Sequence, residues 1–427
     1  MSGFSFIDLF AGIGGFHHAM TSLGGECVFA SEIDPAAARV YERNWGLRPA
    51  GDIVALTEHQ MAVPSHDVLC AGFPCQPFSK SGLQRGMAET RGTLFWNICR
   101  VLETRRPNFV LLENVRNLVG PRHRDTWATI VETLRGLDYY VADEPVIASP
   151  HWLPPWEGGT PQVRERVFIP AVYLGPGWTD QPERAPLVKG PPSGWDPMDW
   201  DLEKDLPLED DLQISGLDTY GLSDDEERWI DIWDDFLSSL VCDKLPGFPI
   251  WADAFIESPD ISPDMPAWKA GFLRKNSAFY LEHRATIDPW LGRHGGLRDV
   301  PASRRKLEWQ AQDTHRSLRN CVLHFRPSGI RAKRPTYVPA LVAITQTSVF
   351  GPRGRRLTPR EAARLQGLPE WFCFEGQSDA ATYRQLGNAV AAGVVMHVVR
   401  EVSRAWSHLL PANLRHLGVG EGLQRAA

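Results

Sequence analysis

Hydrophobic and polar positions in the first 170 residues switch between two periods. Phe6-Ile7-Asp8-Leu9-Phe10 reads as a strand, and the glycine-rich turn Ala11-Gly12-Ile13-Gly14-Gly15 follows it. A helical stretch through Met20 and Leu23 leads to a second strand, Val28-Phe29-Ala30-Ser31-Glu32. The apolar run from Asp67 to Gly72 predicts a buried strand bounded by turn residues. Leu94, Phe95, Ile98, Val101 and Leu102 keep helical spacing, and Phe109-Val110-Leu111-Leu112 predicts another buried strand, ending at Glu113. Val163 to Ile169 is again strand-like. Strands separated by helical patterns imply βαβ units and a mostly parallel sheet.

The pattern changes further along. Between about residues 170 and 200 the chain shifts toward Pro, Gly and Trp, which marks a boundary or linker. Ser223-Asp224-Asp225-Glu226 has the form of a capping box. It opens a predicted helix with Trp229, Trp233, Phe236, Leu237 and Leu240 on one face, a stripe better suited to a core than to a partner groove. Asp379 to about Leu410 reads as helix, and no internal repeat is visible.

At 427 residues the chain is long enough for two domains. It has no apolar run of the roughly 20 residues needed to span a bilayer, and Met1-Ser2-Gly3-Phe4 lacks the features of a secretion signal. Seven cysteines without a Cys-x-x-Cys pair argue against a disulfide framework and a structural zinc site, so no metal is expected and a reducing cytoplasm fits best. The formal charge of -7 conceals a strong asymmetry. Residues 196–264 hold 21 Asp and Glu against 3 Lys and Arg, whereas residues 274–360 hold 18 Lys and Arg against 5 acids, a net of +13. The basic segment is expected to meet a polyanion, with too few nearby acids to neutralise it. The acidic one is expected to be a solvated face turned away from nucleic acid.

The candidate chemistry gathers at predicted strand ends. Cys75 sits between Pro74 and Pro77-adjacent Gln76, in Phe73-Pro74-Cys75-Gln76-Pro77-Phe78-Ser79, where the prolines forbid both helix and central strand. That places the thiol on a rigid turn at a strand's carboxyl end, where open α/β sheets bind ligands, and favours a nucleophile over a buried small hydrophobe. Glu113, one strand further on, faces the same edge. A thiolate with a carboxyl group suits addition to an electron-poor ring with proton delivery to that ring. Gly12, Glu32 and Asp52 describe a nucleoside-binding edge, although the turn does not match the full dinucleotide fingerprint. Period two puts Gln162, Arg164 and Arg166 on one face of their strand.

In order along the chain, the motifs are Phe6 to Gly15, Glu32, Gly51-Asp52-Ile53, Gly72 to Ser79 and Glu113-Asn114-Val115. Gln162 to Arg166, Leu357-Thr358-Pro359-Arg360-Glu361 and Gly387-Asn388-Ala389-Val390 complete the set. Together they resemble a bacterial DNA (cytosine-5)-methyltransferase of the restriction-modification or orphan type. The resemblance implies an α/β fold: a Rossmann-like S-adenosylmethionine-dependent methyltransferase catalytic domain with a smaller, irregular target-recognition domain. The corresponding division is 1–185 for the catalytic and cofactor-binding part and 186–365 for target recognition, including the acidic insertion and a basic DNA-facing part. Residues 366–427 would be C-terminal helices that complete the catalytic domain.

By the same resemblance, Cys75, Glu113, Arg164 and Arg166 are catalytic, with the two arginines holding a flipped cytosine, since the target atom is unreachable inside a duplex. Phe10, Gly12 and Gly14 would line S-adenosylmethionine, Glu32 take its ribose, Asp52 its adenine amine, and Ile33 pack on the adenine. Ile53, Pro74, Leu94, Asn388 and Val390 complete the expected cofactor site. Ser79, Ser81, Gln84 and Arg91 fall in a stretch similar to the family's closing loop, and with Gln162 form the expected DNA-side set. Residues 324–334 look like a groove-facing loop. Leu153 to Thr160 departs from the family's usual approach to Pro161-Gln162. The implied partners are double-stranded DNA and a separate cognate restriction endonuclease, with no membrane, for a cytoplasmic monomer. Two other readings are a tRNA cytosine-5 methyltransferase, disfavoured by the long stretch between Arg166 and Leu357, and a non-catalytic DNA-binding relative, disfavoured by the intact Cys75 and Glu113.

Overall fold

A computed structural model describes residues 3–58, 60–74, 93–178, 187–312, 315–341 and 348–418. The first part of the chain supplies β1 (Phe4–Leu9), α1 (Gly15–Ser22), β2 (Gly25–Ser31), α2 (Pro35–Trp45), α3 (Ile53–Glu58), β3 (Val68–Gly72), α4 (Leu94–Arg105) and β4 (Phe109–Val115). It continues with α5 (Arg124–Gly136), β5 (Tyr139–Tyr140), β6 (Val146–Ala148), β7 (Gln162–Val163) and β8 (Arg166–Tyr173). All of these strands but β7 form one sheet in the order β2-β1-β3-β4-β8-β5, with β6 also on β8. The pairs β1–β2, β1–β3 and β3–β4 are parallel, and β8 runs antiparallel to β4.

Alternation along these strands fills two layers. Phe4, Phe6, Val68, Cys70, Phe109, Leu111 and Phe168 point to one side, where they pack with Phe16 and Met20 of α1. Ile7, Leu9, Leu69, Ala71, Val110, Leu112 and Ile169 point to the other, against Phe95 and Ile98 of α4 and Ile130 and Leu134 of α5. A sheet covered on both faces needs continuous apolar strands, which is why periodicity alone made them legible.

The middle of the chain supplies α6 (Leu202–Asp205), α7 (Asp224–Ser239), β9 (Ile250–Trp251), α8 (Ala267–Glu282), α9 (Arg284–Arg293), β10 (Lys306–Gln310), β11 (Val322–Arg326), β12 (Gly329–Lys333), β13 (Val338–Pro339), β14 (Val349–Phe350) and β15 (Arg355–Arg356). A second sheet, in the order β15-β14-β11-β12-β10-β9, packs on α7. Ser223 and Glu226 form the expected capping box at the start of α7. Trp233, Phe236 and Leu237 from its apolar stripe are buried, and the Phe236 and Trp290 rings meet at 4.8 Å. The segment expected to be a loop at 324–334 is instead the β11–β12 hairpin, turning at Pro327-Ser328.

The charge asymmetry resolves differently from the expectation. The acidic segment supplies the pairing acids that local counts lacked, and it neutralises much of the basic one. Arg284 pairs with Glu257, Arg293 with Asp235 and Arg305 with Asp253. Arg319 bridges Glu227 and Asp231, Arg353 and Arg355 share Asp211, and Arg356 reaches Glu226. Partners lie about 27 to 144 residues apart in sequence, so local charge counts could not find them.

The chain then returns to the first sheet through α10 (Pro359–Leu365), α11 (Asp379–Asn388), α12 (Ala392–Ala405) and α13 (Ala412–Arg415). Val394, Val395, Val398 and Val402 of α12 enter the Phe4–Phe6 layer. The return starts before residue 366, because Ala362 and Ala363 of α10 already pack with Ile13, Val40 and Leu386.

Candidate active site

Four parallel strands deliver their carboxyl ends to one edge, and a crevice of about 450 Å³ opens there. Phe10 and Gly12 turn the chain out of β1 with φ of 57° and 55°. The phenylalanine holds a left-handed backbone that non-glycine residues seldom adopt, a form of strain that clusters at ligand sites. A Cβ at Gly12 would have nothing within 4 Å, so that backbone faces open space in the crevice.

Glu32 ends β2. Its Oε2 accepts from the Gly12 N–H at 2.7 Å and its Oε1 from the Asp34 N–H at 2.7 Å, pinning the turn to the next helix start. Each oxygen keeps a lone pair for a hydroxyl. Ile33 is 70% exposed at the rim. Asp52 accepts from the Val54 N–H and lines the crevice with Ile53, Pro74, Leu94 and Asn388. Gly14 and Val390 lie just behind this lining. A Cβ on Gly14 would strike the Trp45 indole at 2.1 Å, and Val390 is buried against Gly15.

At the opposite end, parallel register sets Glu113 beside Gly72, three residues before Cys75. The Asn114 amide donates to the Phe73 carbonyl at 2.9 Å, tying the exit of β3 to β4. This clamp was missed from sequence, although it sits inside the Glu113-Asn114-Val115 motif. Glu113 Oε1 meets Arg166 Nε at 3.0 Å, and Arg166 in turn starts β8 opposite Val115. Burial pushes the Glu113 carboxyl up from its usual range, while Arg166 and then Arg164 pull it back. The net upward direction favours a carboxyl able to donate. Cys75, Ser79, Ser81, Gln84 and Arg91 lie outside the described residues.

Gln162 and Arg164 differ from the expected base-facing row. Arg164 Nη1 donates to the Leu341 carbonyl at 2.8 Å and Nη2 to the carbonyls of Gly387 and Ala389 at 2.8 and 2.7 Å. Gln162 is fully buried, donates to the Leu365 carbonyl and accepts from the Leu341 N–H. The strand breaks between β7 and β8, and segments returning from more than 170 residues away accept from both Nη groups of Arg164, whose Nε, at the crevice wall, has no partner among the described residues. Burial, then repulsion from Arg166, lowers the Arg164 guanidinium to about 9. Both arginines line the crevice, and of the two Arg166 is the one paired with Glu113. Arg384 and Gln385 of α11 also line the crevice, and no spacing in the sequence singled them out.

A mostly parallel sheet whose carboxyl edge combines a glycine turn, a strand-end acid and a nucleoside-sized crevice fits a methyltransferase that uses S-adenosylmethionine. Open backbone at Gly12, exposed Ile33 and the carboxylates of Glu32 and Asp52 fit that cofactor. The chain belongs to the C-5 cytosine-specific DNA methylase family, whose model matches residues 4–185 and 282–404. It is 47% identical over 498 aligned positions to the Type II methyltransferase M.AluI of Cellulosimicrobium cellulans, covering 96% of this chain and 95% of that protein. M.HpaII of Haemophilus parainfluenzae is 30% identical over 93% of this chain and 89% of its own length. M.HhaI of Haemophilus parahaemolyticus is 43% identical, but over 40% of this chain and 49% of its own. The protein is thus an enzyme that methylates carbon 5 of cytosine within specific DNA sequences, through the base flipping and cysteine adduct general to its family. Among the described residues no helix is long and apolar enough to cross a membrane.

Proposed function

We propose that Cys75 is the nucleophile, Glu113 its acid partner and Arg166 the base-holding cation, acting on a cytosine within the DNA target of M.AluI. The observation that carries the catalytic reading is the register of Gly72 beside Glu113, with Glu113 held by Arg166 at 3.0 Å. The Cys75 thiolate adds to carbon 6 of the flipped cytosine while Glu113 donates to ring nitrogen 3. Electron density then moves to carbon 5, which becomes nucleophilic. Bound S-adenosylmethionine supplies the methyl group. Water takes the carbon-5 proton, which re-forms the double bond and expels the thiolate, and ring nitrogen 3 returns its proton to Glu113. Arg166 keeps Glu113 aimed at the ring, and Arg164 positions the strand that carries Arg166. On the cofactor side, Phe10 and Gly12 shape the floor, Glu32 takes the ribose, Ile33 and Asp52 the adenine, and Asn388 the methionine end, with Gly14 and Val390 supporting from behind.

The target reading draws its support from extent. The M.AluI likeness runs through the whole chain, whereas the M.HhaI likeness covers 40% of it. We assign target recognition to the middle of the chain, from about 186 to the start of α10, because it has its own core while the two flanking parts share others. The protein would act as a cytoplasmic monomer alongside a separate endonuclease of the same specificity, a reading supported by its Type II relatives and by the free cysteines among the described residues.

Tritiated methyl transfer to duplex DNA tests the chemistry. Cys75→Ser should abolish transfer while leaving cofactor affinity intact, and a duplex carrying 5-fluorocytosine should trap the wild-type adduct because fluorine cannot leave as a proton does. Full-rate transfer by Cys75→Ser would sink the mechanism. Methylation sequencing of a host expressing the gene tests the target, and sites unlike those of M.AluI would overturn that part alone.

A further inference from the structure

The second sheet has one face on the α7 core and one face outside it. Leu307 and Trp309 of β10, Leu323 and Phe325 of β11, and Ile330 and Ala332 of β12 are buried in that core. Period two then sets Glu308, His324, Arg326, Arg331 and Lys333 on the opposite face. Register brings them together: Glu308 and His324 both lie beside Arg331. The Glu308 carboxylate holds Arg331 at 3.0 Å and also pairs with Arg326. Both arginine side chains are 30% exposed and Glu308 21%, so the guanidinium planes are fixed by packing and still reachable. Burial, with Arg331 next, lowers the Lys333 ammonium, and burial followed by Lys333 and Arg331 holds His324 neutral at pKa about 4. One carboxylate thus holds two arginines beside a third cation, in contrast to the arginines that the acidic segment neutralises.

The location adds a second argument. Five residues beyond Lys333 the chain enters β13, whose Val338 pairs in parallel with Gln162, just before Arg164 and Arg166. Leu341 then accepts from Arg164. The charged face is therefore connected by a few residues to the crevice edge where the flipped base must sit.

We propose that this face reads the target sequence, with Arg326 and Arg331, oriented by their shared Glu308, donating to guanine edges in the major groove and Lys333 meeting an adjacent phosphate. A planar guanidinium matches the O6 and N7 acceptors of guanine, and a carboxylate behind it fixes the plane that the match requires. The inference rests on the methyltransferase reading above.

The test measures methyl transfer by the full chain to a cognate duplex and to duplexes in which each guanine of the site is replaced in turn. Arg326→Lys and Arg331→Lys keep the charge and the fold but lose the fork. Each should cut cognate kcat/KM by roughly 5- to 150-fold and flatten the cognate-to-substituted ratio at one position. Lys333→Gln should weaken binding to all duplexes alike and lower the salt slope by about one. S-adenosylmethionine affinity should be unchanged in all three. Lysine variants that keep the wild-type ratio at every position would overturn the proposal. Absence of transfer to any duplex by the wild-type protein would instead sink the parent reading, so the two failures are distinguishable.

Discussion

The two sheets of this protein spend their faces differently. The first is covered on both sides, and its chemistry lies at one end, where strands stop and turns begin. The second buries one face on α7 and, at Val322 and Phe350, part of the other under a smaller core, and its charge lies across the rest of that face and along its edges. An edge site is built from residues next to one another in sequence motifs, such as Glu113-Asn114 or Phe10-to-Gly12. A face site is built from alternate residues of several strands, and its ion pairs come from anywhere in the chain. This is why one half could be named from its motifs and the other could only be counted.

The largest expected effect bears on the edge. Glu113→Gln keeps the shape and the partner of Arg166 but cannot donate a proton. Methyl transfer should fall by about 10²- to 10⁴-fold, the usual range for losing a positioned acid. Single-turnover rates on a saturating duplex are the measurement. A loss seen only in KM would mean that Glu113 binds the base without assisting the chemistry, and the edge would resemble the face more than proposed.

The next effect tests how the second region is tied to the return helices. Arg355 and Glu361 are 3% and 0% exposed and bond through both Nη groups, with Asp211 as a third member. Arg355→Met strands a buried carboxylate and should cost about 3–5 kcal/mol in chemical denaturation. Removing the charge on both sides, with Arg355→Met and Glu361→Gln together, should recover a large part. Failure of the double variant to recover would show that the Glu361 capping role at α10 dominates over the ion pair.

Much of the first region was legible because its physical demands are local. Strand exits, the glycine turn and the carboxylates beside it each sit in short runs that permit few other structures. Arg164 shows the limit. It alternates with Arg166 as strand residues do, yet the strand breaks at that point, Leu341, Gly387 and Ala389 return to bond it, and no spacing near residue 164 signals their arrival. The acidic segment shows the same limit more broadly. Asp211, Glu226 and Asp235 look like solvated acids until the arginines about 60 to 145 residues away fold onto them.

A pH series compares the regions more gently. Burial lowers His17 and His151, in the first region, and His324, in the second, to about 4. An imidazole kept neutral in the fold takes its proton on unfolding, so acid favours the unfolded chain. The loss begins as pH falls below the ordinary value near 6.5 and grows until about 4, amounting to roughly 2 kcal/mol per imidazole at pH 5. Melting followed between pH 8 and pH 5 should show a plateau above about 7 and a falling Tm below it. If the two regions melt separately, the first should shift further, having two such groups. A Tm that stays flat to pH 5 would show that these rings are protonated in the fold.

The smallest expected effect concerns the paired charges that conceal the basic segment. Arg319 meets Glu227 and Asp231 at 2.7 Å, but all three side chains are well exposed, at 43%, 38% and 67%. Solvent-exposed pairs of this kind contribute less than about 1 kcal/mol and fade with salt. Arg319→Gln should therefore lower stability only slightly and leave DNA affinity and its salt slope unchanged, since the cation is already neutralised. A drop of about one in that slope would mean that Arg319 leaves its acids for a phosphate when DNA arrives. The acidic segment would then be a competitor for the DNA-binding cations rather than a structural partner, and the charge comparison between the two regions would hold only for the free protein.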